Sequence, residues 1–75
     1  MNFVMLGGGA AGVETSIALR LFLNRLNHFN CTISLITSSS RLCDNYSEAI
    51  SEKILKSVKQ QNIDVYFNEK IESIE

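Results

Sequence analysis

The hydrophobic positions of this chain follow two rhythms in turn. Residues 2–6 (Asn-Phe-Val-Met-Leu) are a short, nearly unbroken apolar run, the pattern of a strand buried on both faces of a parallel sheet. From residue 10 to about residue 27 the spacing lengthens to that of a helix. Val13, Ile17 and Leu21 fall on one stripe and Leu19, Leu23 and Leu26 on a second, with Ala18 and Phe22 between them. A helix apolar over so much of its circumference is expected to pack on more than one side. Asn27 to Asn30 read as its stop and a loop. Residues 32–37 (Thr-Ile-Ser-Leu-Ile-Thr) are alternating and rich in β-branched side chains, which marks a second strand. Ser38, Ser39 and Ser40 form a turn.

A second helix is predicted from about residue 47 to residue 61. Ile50, Ile54, Leu55 and Val58 line one face, and Glu52, Lys53, Lys56 and Lys59 the other. Asp44, Asn45 and Ser47 are its N-cap candidates, and Asn45 has Glu48 three residues on, as a capping box requires. Asn62 suits the left-handed position after the helix. Residues 63–67 are a third strand, and residues 70–74 offer a short fourth. The alternation predicts an α/β fold, a Rossmann-like βαβαβ unit whose three parallel strands lie in the order 3-2-1 with two helices.

Length and composition narrow the class. Seventy-five residues make one small domain at most. A hydrophobic content of 45% is too high for a disordered chain, and a net charge of -1 gives no pull toward nucleic acid or an anionic membrane. No apolar run approaches the ~20 residues of a membrane span, and Met1-Asn2 leads into a strand without a basic signal-peptide region, so a cytoplasmic location is expected. Cys31 and Cys43 lack the C-x-x-C spacing and are expected to be reduced thiols. His28 stands alone without partners at metal-ligand spacing. Tyr46 and Tyr66 read as packing residues, and the lysine face of the second helix as solvated surface. No catalytic residue and no metal site is predicted.

The candidate chemistry lies in Gly7-Gly8-Gly9-Ala10-Ala11-Gly12, a G-x-G-x-x-G between a strand and a helix. That context binds the pyrophosphate of a dinucleotide. Gly7 makes the tight turn, Gly9 leaves room for the pyrophosphate, and Gly12 lets the helix pack closely. The free amides near Ala10 and Ala11 point at the anion, aided by the helix dipole. A P-loop is excluded, because no Gly-Lys-Ser/Thr follows.

The octet Gly-Gly-Gly-Ala-Ala-Gly-Val-Glu at residues 7–14 resembles the start of the NAD(P)H-binding domain of the pyridine nucleotide–disulfide oxidoreductase superfamily. Ile33-Ser-Leu-Ile36, then Arg41-Leu42, a helix running into Asn62-Ile-Asp-Val-Tyr-Phe67, and Ile71-Glu-Ser-Ile-Glu75 are similar to that domain's order. The resemblance implies that residues 1–75 are a partial NAD(P)H-binding domain, cut from a larger FAD-dependent enzyme that passes hydride from nicotinamide to flavin. The fragment alone is expected to be inactive. It implies cofactor contacts at Gly7, Gly9, Ala10, Ala11, Gly12, Glu14, Thr37, Ser38 and Arg41. Glu14 would lie near the nicotinamide–flavin junction, unless it is merely a helix-start carboxylate. Two departures stand out. Thr37 takes the place where family members carry an acid that holds the adenosine ribose, while Arg41 and the serines offer groups for a 2′-phosphate, so NADH and NADPH remain open. The interval from Gly12 to Thr37 is 25 residues, against roughly 20 in the usual fingerprint. A longer helix and loop there resemble the type II NADH dehydrogenase branch and the oxidoreductases fused to selenide water dikinase.

Two other readings stay open at this point. One is an FAD-binding βαβ unit, against which the missing acid counts. The other is a stand-alone nucleotide-binding module without catalytic activity. On any reading the first strand is left with an apolar, unpaired edge, and self-association near Phe3 to Leu6 is expected.

Overall fold

The computed structural model describes residues 1–70. Strand β1 (Asn2–Leu6) is followed by helix α1 (Ala10–Arg25), strand β2 (Thr32–Ile36), helix α2 (Glu48–Gln60) and strand β3 (Ile63–Tyr66). The three strands are parallel and lie in the order β1-β2-β3, so the predicted βαβαβ unit is present. The proposed fourth strand at 70–74 falls almost entirely outside the described residues.

Register sorts the strand residues onto two faces. Phe3, Ile33 and Ile63 form one cross-strand row, and Met5, Leu35 and Val65 the next. These residues pack with Val13 and Leu23 of α1 and Val58 of α2, and Ile33, Leu35 and Val58 are fully buried. Both helices therefore cover the same face. The physical reason is that both crossovers step in the same direction across the sheet, and a single hand of crossover then puts both helices on one side. The opposite face carries the rows Val4–Ser34–Asp64 and Leu6–Ile36–Tyr66. There Val4 is 56% and Leu6 62% exposed. The expectation that β1 is buried on both faces is thus corrected: within this segment one face is covered.

Helix α1 needs the same correction. Its buried line is Val13, Ser16, Arg20 and Leu23, at helical spacing, while Leu21 and Leu26 of the two apolar stripes, and Phe22 between them, are exposed. Ser16 is accommodated because its hydroxyl donates to the Gly12 carbonyl at 2.8 Å. Arg20 is 5% exposed and wholly engaged. Its Nε donates to the Gln61 carbonyl at 2.9 Å, Nη1 to Cys31 at 3.0 Å and Nη2 to Asn62 at 2.9 Å. The guanidinium thus closes the C-terminal end of α2, where its charge suits the helix dipole, and ties that end to the start of β2.

The helix ends follow side-chain chemistry. Ser47, rather than Asn45, caps α2 by accepting from the Ile50 amide at 3.3 Å. Asn62 takes the left-handed conformation after α2, with φ 58°, as its sequence position implied. Asn27 does the same after α1 with φ 61°, and the amides of Asn27 and His28 return to the Asn24 and Leu23 carbonyls. That pair of bonds is a Schellman motif, with Asn in the place glycine usually holds.

Candidate dinucleotide site

The glycine turn sits at the carboxyl end of β1, and its shape follows from three close approaches. Gly7 has φ 105°, a conformation that strains any side chain, and its amide extends the ladder by donating to the Ile36 carbonyl at 2.7 Å. A Cβ on Gly12 would lie 2.0 Å from the Gly7 carbonyl oxygen, so α1 can begin this near the strand only without one. A Cβ on Gly8 would meet Thr37 at 2.7 Å. Gly9 differs from these: nothing lies within 4 Å of the position its Cβ would take.

Gly9 is also the N-cap of α1, in extended conformation and with no side chain to cap the helix. The first helical bond runs from the Val13 amide to the Gly9 carbonyl at 3.1 Å. The amides of Ala10, Ala11 and Gly12 precede it and have no partner within the helix. No acidic residue lies in that first turn. Glu14 falls beyond it and is exposed, so it is not a helix-start carboxylate of the first turn. Three amide donors and an open approach at Gly9 suit an anionic group.

The carboxyl end of β2 forms the neighbouring wall. Thr37 is 3% exposed, packs under Gly8 and accepts from the Ser39 amide through Oγ1 at 3.1 Å. Its side chain therefore supports the glycine turn, and at this strand end Ser38 is the exposed hydroxyl. Arg41 is half-buried, and Nη2 donates to the carbonyls of Asp44 and Tyr46 at 2.9 and 3.0 Å. The loop is joined to the glycine turn by the Cys43 amide, which donates to the Gly8 carbonyl at 2.8 Å. The Ser39 hydroxyl donates to Asp44 Oδ2 at 2.9 Å. The structure thus brings the glycine turn, Thr37 and Ser38 to one end of the sheet and turns Arg41 toward its own loop. Sequence reasoning missed Gly8, Cys43 and Asp44. The second middle glycine was the available signal for Gly8.

A separate concavity of about 890 Å³, lined in part by Arg20, Asn24, Cys31 and Asn62, lies at the opposite end of the sheet, where β2 and β3 begin. It is remote from the glycine turn. Among the described residues no cluster of metal-ligating side chains occurs, and no helix is long and apolar enough to cross a membrane.

A three-stranded parallel sheet with a glycine turn feeding an uncapped helix defines a Rossmann-like α/β unit. The chain belongs to the pyridine nucleotide-disulphide oxidoreductase family, whose model matches residues 2–75. Among solved structures it is similar to NDH2 from Plasmodium falciparum in complex with NADH, at 26% identity and a TM-score of 0.79 over 89% of this chain. The same enzyme in complex with RYL-552 matches at 26% identity and 0.80 over the same share. The HOCl-induced flavoprotein disulfide reductase RclA from Escherichia coli, as its Cu(II) complex, matches 99% of this chain at 22% identity and 0.75, a likeness of fold. This chain spans 15% of the length of each of these relatives. No match was found among curated proteins.

Proposed function

We propose that residues 1–75 are the first half of an NAD(P)H-binding domain in an FAD-dependent oxidoreductase. The observation that carries this reading is the open space at Gly9 in front of the amides of Ala10, Ala11 and Gly12. The cofactor pyrophosphate would be held by those amides, with Gly7 and Gly12 fixing the turn. The adenosine end would lie toward Ser38 and the loop that Arg41 holds, at the carboxyl ends of β1 and β2, where ligands of such sheets bind. Glu14, exposed on the second turn of α1, would face the nicotinamide end. The nicotinamide supplies hydride to a flavin, which other parts of the polypeptide hold. This chain's own task is to bind and orient: among the described residues we assign no nucleophile and no acid–base pair.

The test is titration of NADH and NADPH into the full-length polypeptide, followed by intrinsic fluorescence or calorimetry. Gly9→Val fills the open space, where an added Cβ meets no other atom within 4 Å. It should weaken nicotinamide dinucleotide binding by about tenfold or more, equivalent to 1.4 kcal/mol. Unchanged binding in that variant, or occupancy of the Gly7–Gly12 turn by FAD instead, overturns the proposal.

A further inference from the structure

We propose that Asp44 supplies the ribose-binding carboxylate that the end of β2 lacks, and that the site takes NADH in preference to NADPH. This rests on the dinucleotide reading above. The usual fingerprint holds the adenosine 2′-hydroxyl with an acid at the end of the second strand. Thr37, at that place, is buried beneath Gly8. The serine turn that follows compensates. Thr37 Oγ1 fixes the Ser39 amide, and the Ser39 hydroxyl binds Asp44 Oδ2 at 2.9 Å. The adjacent Cys43 amide bonds the Gly8 carbonyl at 2.8 Å. The Asp44 carboxylate is thereby fixed by Ser39 of the turn after β2, and its chain neighbour Cys43 is tied to the glycine turn. It is exposed, and its second oxygen accepts no bond from the described residues.

The surrounding charge points the same way. A 2′-phosphate needs a cation, and Arg41 is the cation of this loop. Its Nη2 is committed to the Asp44 and Tyr46 carbonyls and its Nε is buried without a partner, so that edge of the guanidinium faces its own loop. Glu69 adds a second carboxylate beside the strand end, since its amide donates to the Thr37 carbonyl at 3.0 Å. Lys70, next in the chain, is engaged in an interaction of its own. A 2′-phosphate entering here meets like charge, whereas a 2′-hydroxyl meets an acceptor.

The experiment titrates NADH, NADPH and the 2′-deoxyadenosine analogue of NADH into the full-length polypeptide, as wild type, Asp44→Ala, Asp44→Asn and Gly9→Val. Wild type should bind NADH about tenfold or more tighter than NADPH, and loss of the 2′-hydroxyl should cost it about tenfold. In Asp44→Ala the NADH to NADPH ratio should narrow to about threefold or less, and the deoxy analogue should bind like NADH. Asp44→Asn, which keeps the size and a weaker acceptor, should fall between. Equal or tighter NADPH binding by wild type, or a ratio unmoved by Asp44→Ala, overturns the role of Asp44. Those results leave the pyrophosphate reading standing if Gly9→Val still weakens binding of both cofactors by about tenfold or more. Binding of neither cofactor by wild type overturns both.

Discussion

Gly9 and Gly12, three residues apart, answer to different forces, and substitution separates them. A methyl group on Gly12 meets a backbone oxygen at 2.0 Å, and backbone on both sides cannot yield. Gly12→Ala should therefore lower stability by about 3 kcal/mol, the upper end of the usual cost of overpacking, as read from urea unfolding of the full-length polypeptide. Gly9→Ala, with open space around it, should cost only about 1 kcal/mol, the N-cap preference for glycine over alanine. A similar loss at both positions would show that the turn is shaped by something other than the approach of α1. The G-x-G-x-x-G pattern makes both glycines legible in the sequence. It hides Gly8, whose constraint comes from Thr37, a residue brought close only when β2 pairs with β1. The same blindness applies to Asp44. Its bond to Ser39 is local, but its nearness to the glycine turn depends on the Cys43–Gly8 bond, which no periodicity reports.

At the scale of elements, the strands are legible because β-branched and apolar runs between turn residues have few other uses. The two-stripe pattern of α1 is more misleading. Leu21, Phe22 and Leu26 look like core and are exposed, while Arg20 looks like surface and is buried. A helix pattern reports apolar area but not which part of it this segment covers. Arg20 escapes notice because its three acceptors lie 11, 41 and 42 residues away. Its removal should be costly, since three carbonyls lose a charged donor at once. Arg20→Ala is expected to destabilise by about 2–4 kcal/mol, lowering the melting temperature by roughly 10 °C or more in an isolated domain of this size. Arg20→Lys should recover little, because an ammonium cannot reproduce the planar fork. By contrast Ser47→Ala, which removes one cap bond, should cost about 1 kcal/mol. Calorimetry on the three variants checks the order; equal losses would refute the central place given to Arg20.

On the scale of the whole molecule, the segment is one helical layer on one sheet, with a shortest extent of 16 Å. The far face of the sheet exposes Val4, Leu6 and Tyr66, and β1 is an edge strand. We expect the 75-residue chain to self-associate through β1, because an apolar edge strand with unpaired backbone donors and acceptors templates pairing. Light scattering across a concentration series is the measurement, and a monomer at every concentration refutes it. Val4→Lys should suppress the association, as charged side chains blunt edges in natural sheets. Topology made this legible in part: the unpaired edge follows from strand order, but the coverage of a single face follows only from the direction of the two crossovers.

The Arg20 clasp has a kinetic consequence. Its partners are the loop before β2 and the turn between α2 and β3, so the bonds cannot all form until the end of α2 has docked beside the start of β2. They close a chain that is otherwise nearly assembled. Loss of Arg20 should then speed unfolding while leaving the folding rate almost unchanged, a φ-value near zero in a chevron analysis. Arg20 is a latch on the finished unit: it governs how long the glycine turn stays mounted on an intact sheet.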